Sequence, residues 1–419
     1  MLVSKIQLNY NSRVKSRVLY AAFDLIPSPK GASTHITYFV RGLVDAGYDV
    51  TLVTAGDPSM PEHDTYYGAT LLRVPWGNDP NFLKRALFFG DYVLQHIGAS
   101  PAYDVVHVRS IWAGFPLAQV KPQYNFKLLY EVNGLPSIEM KYHYPAMANT
   151  AVLDKFKERE LATLHTADAI ITISHVTAAY ITSLGIAADK ITIIPNGFDP
   201  ALFGGGAGEK SRGAGEQASR REAQESPISQ SPTLLYVGTL AEWQGLDTLI
   251  QAVPLIVAER PVQLRLVGRG RKRQLKALRK RAQKLAVAEH VVVEAAVKHK
   301  QIPAIIHRAD ICLAPLSYND RNVTQGCCPL KIIEYMACGK PIVAANLPVV
   351  RELVCEGIEA LLFEPDNPED LARQVLKLLA NKLLAAEIGR NAANRAHRHF
   401  TWPIAQKHLL GVYYSLNSR

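Results

Sequence analysis

The sequence predicts an α/β protein built from two doubly wound domains. Short runs of aliphatic and β-branched residues alternate with helix-length amphipathic runs over residues 17–183, and the alternation restarts over residues 233–345. Continuously apolar strands separated by helices are typical of parallel sheets covered by helices on both faces. Two such series therefore predict two Rossmann-like domains, each offering a ligand the carboxyl ends of its strands.

The length and the composition divide the chain further. A chain of 419 residues exceeds what one hydrophobic core usually supports. We assign residues 1–203 to the first domain, 233–400 to the second, and 401–419 to a C-terminal helix that is expected to pack back toward the first domain. Residues 204–232 are rich in Gly, Ser, Glu and Arg and nearly free of large apolar residues. They cannot bury enough surface to offset their ordering entropy, which predicts a flexible insertion.

The composition also limits the class of protein. Hydrophobic residues make up 48% of the chain and charged residues 20%, which is ordinary for a soluble enzyme. No apolar run reaches the roughly 18 residues that span a bilayer. The first residues lack the apolar core of a signal peptide, so we expect a cytoplasmic protein. The five cysteines are odd in number and form no Cys-x-x-Cys pair, which favours buried thiols over disulfides or zinc ligands.

The net charge of +10 is concentrated in one stretch of the second half. Nine lysines and arginines lie between residues 269 and 284, with no acidic residue among them. Leu275, Leu278 and Leu285 give this stretch an apolar stripe, which predicts a helix with a basic outer face. A solvated face is the favoured interpretation, and peripheral contact with the inner face of an anionic membrane is the functional alternative. Nucleic acid is not expected as a partner, because no aromatic residues interrupt the basic run.

The motif Pro-Leu-Lys-Ile-Ile-Glu at residues 329–334 carries the strongest chemical signal. Lys331 stands at a helix N-terminus, which already favours anions, and Glu334 lies one turn later on the same face. A cation for a diphosphate and a carboxylate for a ribose diol, one turn apart, are what a nucleotide-sugar site needs. An ordinary amphipathic helix with solvated charges is an equal alternative.

Three loop residues are weaker candidates for the same ligand. Gly238 follows the first strand of the second domain and would let the backbone approach a phosphate closely. Arg269, in a Gly-Arg-Gly loop after another strand, is placed to contact nucleotide or phosphate. Gly31 lies between a strand and a helix and would bring amides near the diphosphate or the acceptor. An ordinary turn or a surface arginine remains the alternative for each.

Several motifs in a fixed order point to one family. They are Ile-Pro-Asn-Gly-Phe-Asp-Pro at 194–200, Leu-Tyr-Val-Gly-Thr-Leu at 235–240, Leu-Val-Gly-Arg-Gly at 266–270, Ala-Asp-Ile-Cys-Leu-Ala-Pro at 309–315 and Glu-Tyr-Met-Ala-Cys-Gly-Lys-Pro at 334–341. This ordered set closely resembles the family 4 glycosyltransferases of GT-B fold, and the resemblance covers roughly residues 17–416.

The resemblance implies a cleft between the two domains. In that family a nucleotide-sugar donor sits mainly on the second domain, a glycan or lipid-linked acceptor sits on the first, and transfer retains anomeric configuration without a metal or another cofactor. Lys331 and the backbone amide of Leu330 would stabilise the diphosphate leaving group. Glu334 would accept hydrogen bonds from the two ribose hydroxyls.

The first domain supplies the other expected site residues. His107 matches a family histidine that lies beside the reacting sugar, where it would orient a hydroxyl or take the acceptor proton. With Lys331 it is our second catalytic candidate. Arg109 is expected to hold acceptor or phosphate. Glu131 and Asn133 follow the next strand and are acceptor-side candidates, with loop capping as the alternative.

The sequence departs from the family pattern at three positions. Gly326 stands where many members carry a glutamate that touches the donor sugar, and Thr239 and Gln244 stand where many carry cations for the diphosphate. Lys331 is therefore expected to carry more of that charge, with help from Arg321 or Arg269. A non-catalytic member of the family, a nucleotide-sugar epimerase and a sugar phosphorylase remain open as alternatives.

Overall fold

The structure, a computed structural model, describes residues 15–75, 79–100, 102–204 and 231–418. The start of the chain and nearly all of the predicted insertion at 204–232 lie outside the described residues. Within the described ranges the chain forms two α/β units, each built on a largely parallel sheet. The predicted fold class of two doubly wound domains is confirmed.

The first sheet has eight strands in the order β3-β4-β2-β1-β5-β6-β7-β8. The strands are β1 (Arg17–Leu25), β2 (Asp49–Ala55), β3 (His63–Tyr66), β4 (Ala69–Val74), β5 (Val105–Val108), β6 (Lys127–Val132), β7 (Ala169–Thr172) and β8 (Ile191–Ile193). All neighbours are parallel except β3, which pairs antiparallel with β4. This edge strand departs from the expected all-parallel sheet. It is exposed and polar, so it lacks the apolar run that identifies a buried strand.

The second sheet has six parallel strands in the order β11-β10-β9-β12-β13-β14. The strands are β9 (Thr233–Val237), β10 (Gln263–Gly268), β11 (Val291–Ala295), β12 (Ile311–Ala314), β13 (Ile342–Ala345) and β14 (Leu361–Phe363). The order reverses beside β9, because β10 and β12 flank it on opposite sides. Such a reversal opens a crevice at the carboxyl ends of the strands.

Fifteen α-helices are found in the described ranges, and no described helix is long and apolar enough to cross a membrane. The first domain contains α1 (Gly31–Asp45), α2 (Phe82–Ala99), α3 (Ile111–Val120), α4 (Pro136–His143), α5 (Ala151–Thr166), α6 (His175–Ser183) and the short α7 (Pro200–Phe203). The second contains α8 (Leu246–Glu259), α9 (Lys272–Lys284), α10 (Ile302–His307), α11 (Leu330–Ala337), α12 (Pro348–Arg351), α13 (Pro368–Ala380) and α14 (Lys382–His399), and α15 (Trp402–Asn417) follows.

Helix α15 packs on the first domain although it follows the second in the chain. Trp402 stacks on Tyr38 of α1, with 4.8 Å between ring centroids, and the Gln406 amide donates a 2.6 Å hydrogen bond to the Tyr38 carbonyl. Tyr413 is fully buried and belongs to the same core cluster as Tyr20 of β1. The last helix therefore ties the two domains together through its packing as well as through the chain.

Polar contacts also cross between the domains. The Glu352 carboxylate of the second domain accepts hydrogen bonds of 2.8 and 3.0 Å from the His175 and Val176 amides at the start of α6. The Gln325 carboxamide accepts from the Leu135 amide at 2.9 Å and donates to Glu139 at 2.8 Å. These contacts fix the distance between the two sheets and hence the width of the cleft between them.

The neighbouring tyrosines Tyr413 and Tyr414 test how much α15 contributes to stability. Tyr413 is 0% exposed and Tyr414 is 59% exposed, so the pair differs in burial on one helix. Tyr413→Ala should lower the free energy of unfolding by about 3–5 kcal/mol, because it leaves a large cavity. Tyr414→Ala should change it by less than about 0.5 kcal/mol. Urea denaturation measures both. Equal losses would show that α15 does not complete the core.

Candidate active site

A cleft of about 740 Å³ lies between the two domains. It is bounded by the start of α1 on one side and by the loops after β9 and β10 and the start of α11 on the other. The predicted site residues that line it are Gly31, Arg109, Asn133, Gly238, Arg269, Leu330, Lys331 and Glu334. His107 and Glu131 are the two predicted residues that do not line it.

Helix α11 presents its first turn to the cleft. No side chain caps it at Pro329, so the first amides are left for other partners. Lys331 and Glu334 are 9% and 7% exposed, and both line the cleft. Leu330 also lines the cleft, whereas the residues from Ile332 to Ala337 other than Glu334 pack in the core. The two charges are therefore buried toward a cavity, and the alternative of an ordinary solvated helix face does not describe them.

The environment of Lys331 is poorly suited to a free ammonium group. Its Nζ donates a hydrogen bond to the Gln244 carboxamide oxygen and lies 4.8 Å from the centroid of the Tyr236 ring. Burial lowers the pKa of Lys331 to about 7, an effect that the nearby Arg321 reinforces and Glu334 opposes. A buried cation with neutral partners and a strongly perturbed pKa is a candidate site for a charged ligand.

Of the two residues that replace the expected cations, Gln244 contacts this lysine directly. The Tyr236 hydroxyl is 2.7 Å from the Thr239 carbonyl and 3.1 Å from the Gln244 side-chain oxygen. Gln244 thus offers Lys331 an acceptor where the family pattern would bring a second positive charge. Arg321 also lines the cleft, but its guanidinium lies 3.4 Å from Glu139 and is partly neutralised by it.

Gly238 acts through the space it leaves. Its φ of +149° lies in a region that side chains rarely adopt, and an added Cβ would lie 3.0 Å from Cε of Lys331. Its amide donates to the Val267 carbonyl at 3.0 Å, so it is not available for a phosphate. The expected close approach of a phosphate to this backbone stays a prediction. The missing side chain makes room for Lys331.

Glu334 has a neighbour that the sequence analysis missed. His299 Nε2 lies 3.1 Å from a Glu334 carboxylate oxygen, and both residues line the cleft. The imidazole also lies 5.7 Å from the Phe203 ring at the end of the first domain. His299 lies beyond the end of β11 in a loop, and no local motif distinguishes it from a surface histidine.

The N-termini of α1 and α11 approach one another closely across the cleft. A Cβ on Gly31 would lie 2.8 Å from Cδ1 of Leu330. Like α11, helix α1 has no side-chain cap at its start, where Lys30 precedes the first turn. The two uncapped N-termini face the same cavity from opposite domains, and their partial positive charges add there.

A buried carboxylate organises the floor of the cleft on the first domain. Glu131 Oε1 accepts from Arg109 Nε at 2.8 Å and from the Asn133 amide, and Oε2 accepts from the Tyr20 hydroxyl at 2.5 Å. Although burial alone raises it, the charges of His35 and Arg109 hold the pKa of Glu131 well below its usual value. Glu131 was expected to face the acceptor. It lies beneath the cleft instead and orients the residues that do reach it.

His107 was expected to lie beside the reacting sugar, but it is buried and does not line the cleft. Its ring is 0% exposed and stacks on Tyr20 at 4.2 Å, and Nδ1 lies 2.9 Å from the Tyr413 hydroxyl. Burial lowers the pKa of His107, so the ring is neutral near pH 7. The other ring nitrogen, Nε2, lies 3.1 Å from Glu131 Oε2, so both ring nitrogens have buried partners. Arg109, two residues further along, reaches the cleft, where its guanidinium donates a 2.7 Å hydrogen bond to Asp24.

His35 of the first domain lines the cleft, as does His143 at the end of α4. Its Nδ1 lies 2.8 Å from the Asn196 side-chain oxygen, and its Nε2 lies 3.0 Å from Glu131, close enough for a charge interaction. It follows Gly31 by one turn of α1, so it shares the face of that helix that points to the cavity. This helical spacing is the signal that would have identified it.

The surroundings of Gly326 leave no room for the glutamate that many family members carry at this position. Its φ is +83°, and an added Cβ would lie 2.6 Å from the Ser174 hydroxyl and 2.7 Å from the Thr177 hydroxyl at the start of α6. Any side chain here would push the two domains apart. Cys327 and Cys328 follow it and line the cleft as free thiols.

The described residues contain no group of three or more His, Cys, Asp or Glu side chains that could hold a metal ion. Metal-independence therefore remains a prediction of the resemblance.

Both halves of the chain match glycosyltransferase family models. Residues 29–202 match the model described as Glycosyltransferase Family 4, and residues 231–381 match the model described as Glycosyl transferases group 1. Together the two matches take in most of the chain, with both domains represented. The chain belongs to the family 4 glycosyltransferases, and it is a glycosyltransferase of the GT-B type.

Individual relatives agree with this assignment at low identity. A glycosyltransferase of Methanocaldococcus jannaschii is 24% identical over 391 residues, which is 91% of this chain and 94% of the relative. Sucrose-phosphate synthase of Thermosynechococcus elongatus superposes with a TM-score of 0.76 at 20% identity, over 96% of this chain and 100% of that one. HepE of Anabaena, solved with UDP and glucose, has a TM-score of 0.72 at 18% identity with the same coverage.

Proposed function

We propose that this protein transfers a sugar from a nucleoside-diphosphate sugar to a glycan or lipid-linked acceptor, with retention of configuration at the transferred carbon. The observation that carries the proposal is the placement of Lys331, Glu334 and the uncapped start of α11 on one wall of the interdomain cleft. That the structural neighbour HepE was solved with UDP and glucose supports the donor class.

The chemistry follows from the charge that develops during the reaction. Breaking the bond between the sugar and the phosphate leaves a diphosphate with additional negative charge. Lys331, the Leu330 amide and the positive end of the α11 dipole are fixed in place before the donor arrives. Such preorganised positive groups stabilise the transition state more than the ground state, which is how they accelerate the step.

The rest of the donor extends from this point. Glu334 lies one turn along α11 and offers two oxygens to the two ribose hydroxyls, which places the nucleoside toward His299. The sugar then lies on the opposite side of the diphosphate, toward the first domain. Its neighbours there are Cys327 beside Gly326 and the residues that Glu131 orients.

The acceptor enters against the first domain in this proposal. Arg109 and Asn133 both line the cleft and both bond to the buried Glu131 carboxylate, so their positions are fixed. The same wall contains two histidines that line the cleft, His35 and His143. We assign Arg109 and Asn133 to the acceptor or the transferred sugar, and His107 to the support of Glu131.

The decisive experiment is a donor screen with a matched pair of lysine variants. Wild-type protein is incubated with common nucleotide sugars and a mixed glycan and lipid acceptor extract, and release of nucleoside diphosphate is measured. Lys331→Ala should slow release by about 10²–10³-fold, because it removes the main charge partner of the leaving group. Lys377→Ala, an exposed lysine of α13 outside the cleft, should leave the rate unchanged.

The other outcomes separate the competing functions. Release that requires an acceptor supports transfer, whereas interconversion of the nucleotide sugar without acceptor indicates an epimerase, and release that requires inorganic phosphate indicates a phosphorylase. A wild-type protein that no nucleoside diphosphate stabilises against heat would be a non-catalytic member, since a ligand of the native state must raise stability.

The proposed contact between Glu334 and the ribose is tested with nucleotides that lack the 2′-hydroxyl. The wild-type protein should bind the preferred nucleoside diphosphate at least about tenfold more tightly than its 2′-deoxy form, because a hydrogen bond to a charged acceptor contributes about 1.5–3 kcal/mol. Glu334→Ala should bring this ratio close to one. Calorimetric titration of both ligands measures it. If Glu334→Ala keeps the wild-type preference, the ribose is held elsewhere.

A further inference from the structure

We propose that the outer face of helix α9 docks this protein onto an anionic lipid bilayer and sets the cleft against the membrane surface. The helix has 13 residues, of which seven are Lys or Arg and none is Asp or Glu. The basic residues are Lys272, Arg273, Lys276, Arg279, Lys280, Arg281 and Lys284. We call the solvent side of this helix the basic face.

The arrangement of these charges is unfavourable for the helix itself. Lys272, Lys276, Lys280 and Lys284 follow one another at four-residue spacing, so like charges are neighbours along one row. The first turn contains Lys272 and Arg273 and no acidic residue, which opposes the helix dipole. A partner with dense negative charge would relieve both repulsions, whereas solvation alone gives no reason for the pattern.

Few acidic side chains of the protein neutralise the charges of the basic face. Among the described residues, Arg281 is the one member of the set with a carboxylate partner, Asp247, whose Oδ1 lies 2.9 Å from its Nε. Lys272, Arg273, Lys276, Arg279, Lys280 and Lys284 are exposed. Six positive charges on one side of a single helix therefore face solvent together.

The apolar side of α9 is already occupied. Leu275, Leu278 and Leu285 pack against the core of the second domain, and Ala282 is buried there. The helix thus has no apolar stripe left to insert between lipid chains. Its attachment would be electrostatic adsorption to headgroups, which salt weakens strongly.

The position of α9 links the basic face to the active site. Arg271, directly before the helix, and Gln274, in its first turn, line the cleft. The Arg271 guanidinium also donates a 3.0 Å hydrogen bond to the His143 carbonyl of the first domain. The basic face therefore begins at the mouth of the cleft, so a docked bilayer would lie where an acceptor enters. This last link rests on the proposed function, whereas docking itself does not.

A lipid surface fits the basic face better than nucleic acid does. Proteins that bind single strands combine a basic groove with aromatic side chains on which bases stack. No aromatic residue occurs between residues 269 and 289. Anionic headgroups need only a set of charges at one level, which a row of lysines provides.

The test compares two variants with the same change in net charge. The first carries Lys276→Gln, Arg279→Gln, Lys280→Gln and Lys284→Gln on the basic face, and it leaves the cleft-lining Arg269 and Arg271 in place. The control carries four substitutions at exposed basic residues of α5 and α14, namely Lys155→Gln, Lys157→Gln, Lys382→Gln and Arg390→Gln. Thermal unfolding checks that both variants are folded.

Binding is measured by sedimentation with vesicles of phosphatidylcholine alone or with about a third of phosphatidylserine, each at low and high salt. The wild type and the control should bind the anionic vesicles at 50 mM NaCl and lose most binding at 500 mM, and the basic-face variant should bind at least tenfold more weakly. Transfer to a water-soluble acceptor should be equal in all three proteins.

Three results would overturn the proposal. They are equal vesicle binding by the two variants, binding of the wild type to neutral vesicles as strong as to anionic ones, and retention by a short DNA duplex at a salt concentration that abolishes vesicle binding. Because the vesicle assay contains neither donor nor acceptor, its result stands whether or not sugar transfer is detected.

Discussion

The site depends on one buried lysine. Lys331 is held between an aromatic ring and a carboxamide in a cavity where its ammonium is poorly solvated. Holding a desolvated cation in this way costs stability, and a diphosphate would return the missing electrostatic partner. Three surrounding residues help to accommodate the Lys331 side chain. Gly238 leaves room for the side chain, Gln244 provides an acceptor, and Glu334 provides a negative charge one turn away.

The two domains must approach each other closely for this charge to be useful. The start of α1 meets Leu330 at Gly31, and the backbone at Gly326 meets the start of α6 without room for a side chain. Glu352 and Gln325 add hydrogen bonds across the same boundary. The positive ends of α1 and α11 are thereby directed into one cavity, which neither domain forms alone. In the proposed transfer, donor and acceptor approach this cavity from opposite domains.

The strand and helix pattern, the Lys331–Glu334 pair and the family could be predicted from the sequence, because each depends on local spacing. The exposed strand β3 could not, since it has no apolar run. The roles of His107 and Glu131 were also misjudged. Both stand on or near strand ends that point toward the cleft, but a helix from the far end of the chain covers His107. Five neighbouring side chains contact the buried Glu131 carboxylate. Contacts between residues hundreds of positions apart have no signature in a local motif.

The most direct measurement of the central claim is proton uptake on ligand binding. With a pKa of about 7, Lys331 is mostly neutral in the free protein at pH 8. A bound diphosphate favours the charged form and raises that pKa, so binding must draw a proton from solution. Calorimetric titration at pH 8 with the preferred nucleoside diphosphate, in two buffers of different ionisation enthalpy, gives the number directly. Uptake of about one proton per ligand is predicted, with affinity falling as the pH rises further. Binding of the same ligand without proton uptake would contradict the account.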